Sequence, residues 1–333
     1  MTLRRFSGIS VAAALLIGLP GISASAETGD PPLDVPEATM AAALQCHDAP
    51  TPVAGREPVL LIHGTAQDGP GAWDWNYVPA LNNEGINACT VTLPDHALTD
   101  IQTSTEYAVH AVRTMTDHYG SKVDVLGFSQ GALVGRAAIK YWSDVRDSVD
   151  DMVALGAPYH GTAFANTLCV AGSCVPAMWQ MKLEHPLLGA GSNFISALNA
   201  GDETPGAVSY TSISTRTDEA SIPQLPTSVS WQNGGATNIA IQSVCPLRVV
   251  DHMQLTYDAV AYALVLDAFT HTGTSSVSRS GAGSQCSGAL ITPMPGIDLV
   301  TASAIEAATY AAGAPLEAGI GYPTVSAEPS LRW

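Results

Sequence analysis

Positive charge is scarce in this chain. Only 13 Lys and Arg stand against 30 Asp and Glu in 333 residues, a formal net charge of −17. So negative a surface repels polyphosphates and anionic headgroups, which argues against nucleic acid as a partner and favours a neutral small molecule or neutral lipid. Charge of this kind also serves solubility alone. Metal-ligand patterns are missing too. The six cysteines, at 46, 89, 169, 174, 245 and 286, include no CxxC and no Cys/His ligand spacing, so neither a metal nor a cofactor is expected. Long hydrophobic runs are absent as well: the apolar stretch Val11 to Leu19 is broken by Pro20 and Gly21, short of the roughly 20 residues that cross a bilayer. There is no internal repeat, and 46% hydrophobic content is ample for a buried core.

What is present begins with an export signal. Arg4 and Arg5 precede the apolar stretch and Ala24-Ser25-Ala26 follows it, so residues 1–26 are expected to be cleaved near Ala26 and the protein to be secreted. Without those two arginines, 11 basic residues face 30 acidic ones, a balance of −19. Secretion suits an even number of cysteines as disulfides. Six cysteines allow fifteen pairings. Cys169 and Cys174 are near enough for a local bridge, and the other four stay open on sequence alone.

Residues 27–58 read as an N-terminal arm, with a helical possibility around Glu37 to Leu44. Continuous apolar runs follow at Val59–His63, Cys89–Leu93, Val123–Phe128 and Met152–Ala157, as strands covered on both faces require. Helical patterns alternate with them. Thr103 and Glu106 fit a capping box ahead of Tyr107, Ala108, Ala111, Val112 and Met115, and Gln130–Trp142 is helix-compatible. Further strands are expected at Val208–Ser214 and Asn238–Val244, and a helix at Leu255–Phe269. The alternation implies an α/β fold, a mostly parallel sheet with helices on both faces and right-handed crossovers. The catalytic domain is expected over 59–286. Within it, 161–206 is a long insertion of the kind that forms lids. The remainder, 287–333, is expected to be a helix near Val300–Ala312 and a tail, packed on the domain.

The chemistry centres on Gly127-Phe128-Ser129-Gln130-Gly131. A G-x-S-x-G pattern alone is weak, and its serine could simply be polar in a turn. Placed directly between a strand and a helix, however, it forms a nucleophile elbow. A serine hydroxyl needs a base oriented by an acid, and in this fold class the chain order is serine, acid, histidine. His47, His63, His96, His110 and His118 precede Ser129; His160 and His185 come before any acid at a strand end; His271 follows the last helix of the domain. His252 remains. Asp218, just past the strand ending at Ser214, suits the acid, while Asp251, adjacent to His252, cannot easily face its ring. The oxyanion donors expected are the backbone N–H of Gln130 and the loop His63-Gly64-Thr65, with the Thr65 hydroxyl as a further donor.

With these residues in view, the chain resembles the α/β-hydrolase lipases, in particular the group that includes Candida antarctica lipase B and its bacterial relatives. The similar segments are HGTAQDGPGAWDWNYVPAL, LTDIQTSTEYAV, GFSQGALVGR, SVDDMVALGAPYHGT, TRTDEASIPQ and VCPLRVVDHMQL, which span most of the chain after residue 46. The resemblance implies Ser129 as nucleophile, Asp218 as acid, His252 as base, and Thr65 with Gln130 as the oxyanion hole. It also implies disulfides Cys46–Cys89 and Cys245–Cys286, with Cys169–Cys174 inside the lid-like insertion in place of a bridge near the C-terminus. Phe128 replaces a tryptophan of that group, Ala220 a larger aliphatic residue and Met253 an alanine, so these three are expected to set a different substrate pocket. The activity implied is hydrolysis of a neutral ester or lipid, at a lipid–water interface, by a monomer. A polyester depolymerase or an acyltransferase would use the same triad, and a non-catalytic binding protein of this fold would lack part of it.

Overall fold

A computed structural model describes residues 29–287 and 290–333; the expected export signal, residues 1–26, lies outside them. Seven strands form one sheet in the order β1-β3-β2-β4-β5-β6-β7: β1 Leu44–His47, β2 Val59–Ile62, β3 Ala88–Val91, β4 Val123–Phe128, β5 Val149–Leu155, β6 Ser209–Ser214 and β7 Thr237–Ala240. All neighbours are parallel except β1, which pairs antiparallel with β3. Every residue of β2, β3 and β4 is buried, because helices cover both faces, so the strands read as apolar runs rather than alternations. This is the α/β-hydrolase fold.

Several boundaries differ from the expectations, each for a local reason. Within the arm, the helix stops at Ala42 and Leu44–His47 becomes edge strand β1. Its register sets Cys46 opposite Cys89, and the two are bridged. Helix Ile101–Tyr119 begins two residues before the proposed capping box: Asp100 is the cap, accepting from the Gln102 amide. Glu106 is buried instead, accepting from the amides of Asp34 and Val35 at 2.6 and 2.7 Å and from Arg332 at 3.0 Å. One carboxylate thereby ties both ends of the described chain to this helix. Strand β7 ends at Ala240 and a helical turn, Ile241–Val244, follows. That turn lets the Gln242 side chain accept from the Arg216 amide and donate to the Arg248 carbonyl, hydrogen bonds an extended chain would not place. The helix expected from Leu255 starts at Ala259, capped by Asp258, whose other oxygen lies 2.6 Å from the buried guanidinium of Arg248.

The C-terminal helix extends furthest beyond expectation. It runs Leu299–Glu317, through Gly313 and Pro315, two residues that read in the sequence as punctuation. Gly313 is buried there, and a Cβ on it would sit 3.4 Å from Ala66. The helix therefore lies directly over the loop that follows β2.

At the amino-terminal ends of β4 and β5 the sheet carries an electrostatic cost. Asp124 and Asp151 are almost fully buried, and with Asp150 they bring carboxylate oxygens within 4.8 Å of one another. Burial, reinforced by Asp150 and Glu57, pushes the Asp151 carboxyl up to about 8, and burial beside Asp151 pushes Asp124 well above the usual carboxylate range. The folded state thus binds protons that the unfolded state has released, so stability falls as pH rises from about 4 to about 8. Asp151→Asn, which keeps the shape and removes the charge, is expected to raise the melting temperature by at least about 2 °C at pH 8 and to leave it unchanged at pH 4. Thermal denaturation at the two pH values checks this.

Candidate active site

Ser129 sits between the last residue of β4 and the first of helix Gln130–Tyr141, with φ 53° and ψ −123°. A non-glycine residue rarely adopts that backbone, and it persists here because the surroundings enforce it. The Ser129 amide donates to Leu155 O at 2.8 Å. A Cβ on Gly127 would collide with the Ala132 backbone, and one on Gly131 with the carbonyls of Ile62 and His63. The two glycines let strand, turn and helix approach closely enough to lift Ser129 into the pocket, where it is half-exposed between two buried neighbours.

The structure brings the proposed acid and base together. His252 Nδ1 and Asp218 Oδ2 are 2.9 Å apart, with both side chains buried. The second Asp218 oxygen accepts from the amides of Ala220 and Ser221 at 2.9 and 2.7 Å, which fixes the carboxylate plane. An ionised carboxylate can only accept, so Nδ1 carries the proton and Nε2 is left as a basic lone pair. Two loops are stitched to hold this pair. The hydroxyls of Thr215 and Thr217, on the acid side, donate to the Val250 carbonyl at 2.7 and 2.6 Å, two residues before His252. Asp251 turns away, accepting from the Gln254 amide and lying beside Glu306. Burial opposes protonation of His252, but the Asp218 carboxylate, with Glu219 and Glu317, outweighs it and the net shift is upward.

The loop after β2 supplies the opposite wall. His63 is buried and neutral, its pKa lowered to about 4 by burial; it lies 2.7 Å from the Gly64 carbonyl and accepts from the Leu93 amide. Its role is to shape the loop. Ala66 takes a left-handed conformation, φ 62°, and the Gly64 amide donates to the Gln67 side chain at 3.0 Å. These contacts point Thr65 at the pocket, where its hydroxyl donates to Gln130 Oε1 at 2.6 Å. Gln130 is the first residue of its helix, so its N–H has no intrahelical acceptor and is available to an oxyanion.

Ser129, His252, Thr65, Phe128, Ala220 and Met253 all line one cavity of about 230 Å³. The Phe128 ring lies 4.8 Å from the His252 ring, so its size acts on the histidine as well as on bound substrate. Part of the apolar wall comes from Phe164, Met178 and Met181 of the 161–206 insertion, which is closed on itself by the Cys169–Cys174 disulfide. Cys245–Cys286 is also formed, so the three bridges match those expected. Among the described residues, the carboxylates spaced to ligate one cation are Asp124, Asp150 and Asp151, at the far end of the sheet from this pocket.

Sequence reasoning missed one whole wall. Thr309, Tyr310, Gly313, Ala314 and Glu317 of the C-terminal helix line the cavity, so that helix contributes to the site as well as packing on the domain. The Tyr310 hydroxyl bonds Glu219, whose other oxygen accepts from the His252 amide at 3.1 Å. Glu219 was visible beside Asp218, but its partner lies some ninety residues away in an Ala-rich stretch that carries no chemical motif.

An elbow serine, a carboxylate-bound histidine and an apolar cavity on this sheet define the class: a serine hydrolase of the α/β-hydrolase fold, acting on carboxylic esters. Comparison with known proteins narrows it. Residues 56–264 match the family Lipase (class 2). The chain is 30% identical to Lipase B of Pseudozyma antarctica over 338 residues, covering 99% of this chain and 94% of that one. It also resembles the crystal structure of Aspergillus fumigatus lipase B, with a TM-score of 0.77 and 27% identity over 91% of this chain and 73% of the other. The chain belongs to the class 2 lipase family.

As the proposed base, which must be neutral to act, His252 with its raised pKa is expected to put the acid limb of kcat/KM above the ordinary histidine value of about 6.5. Asp218→Asn is expected to lower kcat by roughly 10⁴-fold and to move that limb to lower pH, since the carboxylate holding the proton is gone. A pH–rate profile of the two proteins on a soluble ester tests both effects.

Proposed function

We propose that the protein is a secreted lipase or esterase that cleaves neutral esters through an acyl-enzyme at Ser129. His252 Nε2 takes the hydroxyl proton as Ser129 Oγ attacks the ester carbonyl, and Asp218 stabilises the imidazolium that forms. The Gln130 amide and Thr65 receive the oxyanion, the Thr65 hydroxyl turning from Gln130 Oε1 to do so. His252 then protonates the leaving alcohol, and water, activated by the same histidine, releases the acid. The observation that carries this reading is the 2.9 Å Asp218–His252 contact in the same cavity as a serine held on a strained elbow.

An uncharged acyl part is supported by the apolar insertion wall, and an overall charge of −17 disfavours anionic substrates. Residues 59–286 serve as the catalytic domain and 161–206 as its lid, with 27–58 as an arm leading into it and 287–333 as its C-terminal helix and tail. Secretion is supported by three disulfides, which persist in oxidising compartments. On a short-chain p-nitrophenyl ester, Ser129→Ala is expected to be inactive, and Thr65→Val to retain activity at about 10²- to 10³-fold lower kcat. Equal turnover by Ser129→Ala and the parent protein would end this reading.

A further inference from the structure

Glu317 stands out in the cavity. It is the last residue of the C-terminal helix and lines the same pocket as Ser129 and His252. Every other carboxylate near the histidine is engaged. Asp218 is bound by His252, Ala220 and Ser221, Glu219 by Tyr310 and the His252 amide, Asp251 by Gln254, and Glu306 by the Tyr257 hydroxyl. Glu317 makes no hydrogen bond or ion pair to any described residue. A half-buried carboxyl left unpartnered in an apolar pocket is costly to the fold and contributes nothing to packing that a leucine would not.

Its position indicates which half of the substrate it meets. His252 hands its proton to the leaving oxygen, so the alcohol half of the ester lies against the histidine. Glu317 shares this cavity with His252, four residues after Gly313 on the helix that lies over the loop carrying Thr65. The insertion residues Phe164, Met178 and Met181 offer apolar surface for an acyl chain, whereas Glu219, Tyr310 and Glu317 are among the cavity's polar lining residues.

Resting on the ester hydrolase reading above, we infer that Glu317 sorts substrates by the charge of their alcohol part, selecting esters of cationic alcohols, such as amino alcohols or quaternary ammonium alcohols, over isosteric neutral ones. Burial raises the Glu317 carboxyl to about 7 and His252 opposes that rise, so the carboxyl is charged above neutrality and loses its charge as pH falls. The preference should therefore be present in mildly alkaline solution and fade below about pH 7. The other titratable groups lining the cavity are Glu219, His252 and Tyr310, and Asp218 is bound to His252. Taking the ratio of kcat/KM for two substrates removes their shared effect on the histidine.

The test compares butyrylcholine with its uncharged isostere 3,3-dimethylbutyl butyrate on the full chain. The kcat/KM ratio, cationic over neutral, is expected to exceed one at pH 8, to decline toward pH 5, and to drop by about tenfold at pH 8 in Glu317→Gln, the scale of one charge contact in a partly buried site. Glu317→Lys should push the ratio below that of Glu317→Gln. If both esters are hydrolysed but the ratio is the same in all three proteins, the charge-sorting role is wrong and the hydrolase reading stands. If the parent protein hydrolyses neither of these nor a short-chain p-nitrophenyl ester, the hydrolase reading falls and takes this inference with it; if it hydrolyses only the p-nitrophenyl ester, the charge-sorting role alone is wrong.

Discussion

The site depends on a single strained residue. Ser129 is held at φ 53° because β4, its turn and the following helix converge with no room for side chains at Gly127 or Gly131. Such strain is stable only where its surroundings over-determine it. Here they do: β2 supplies the carbonyls against Gly131, β5 the acceptor for the Ser129 amide, and three buried parallel strands the rigidity. Several other site residues occupy loops at the carboxyl ends of strands. Thr65 follows β2, Gly156 follows β5 and Asp218 follows β6; Gly156 takes φ +59° and lies against the His252 ring, a Cβ there coming within 3.1 Å of it.

A second constraint is how the histidine loop is secured. Backbone and side-chain bonds from Thr215, Thr217 and Glu219 tie His252 to the acid loop. Further on, Arg248 donates to the carbonyls of Gln285 and Thr292 and pairs with Asp258 where the next helix begins. Both members of that ion pair are fully buried, so losing either would leave an uncompensated charge. The Cys245–Cys286 disulfide closes the same region. His252 is thus fixed by a network on each side of it in the chain.

Much of this was legible in the sequence because the signals were local. Val123–Phe128 reads as a strand, GFSQG as an elbow, and Asp218 and His252 follow in the order the fold requires. What the sequence hid is long-range. Leu44–His47 has no strand run of its own and becomes an edge strand only by pairing with β3. Glu106 looks like a capping residue because its local spacing fits, yet its partners are at residues 34, 35 and 332. The C-terminal helix shows no chemistry in one dimension. Only folding sets Tyr310 and Glu317 in the cavity beside His252, so the wall that distinguishes this pocket lay in the least informative stretch of the chain.

The central claim is that Ser129 is the residue His252 activates, and covalent labelling tests it most directly. Treatment with a fluorophosphonate followed by peptide mass spectrometry should place one phosphonyl group on the Val123–Arg136 segment at Ser129, with the rate of labelling sharply reduced in a His252→Ala protein. Labelling at another serine, or at Ser129 with no dependence on His252, would contradict the account.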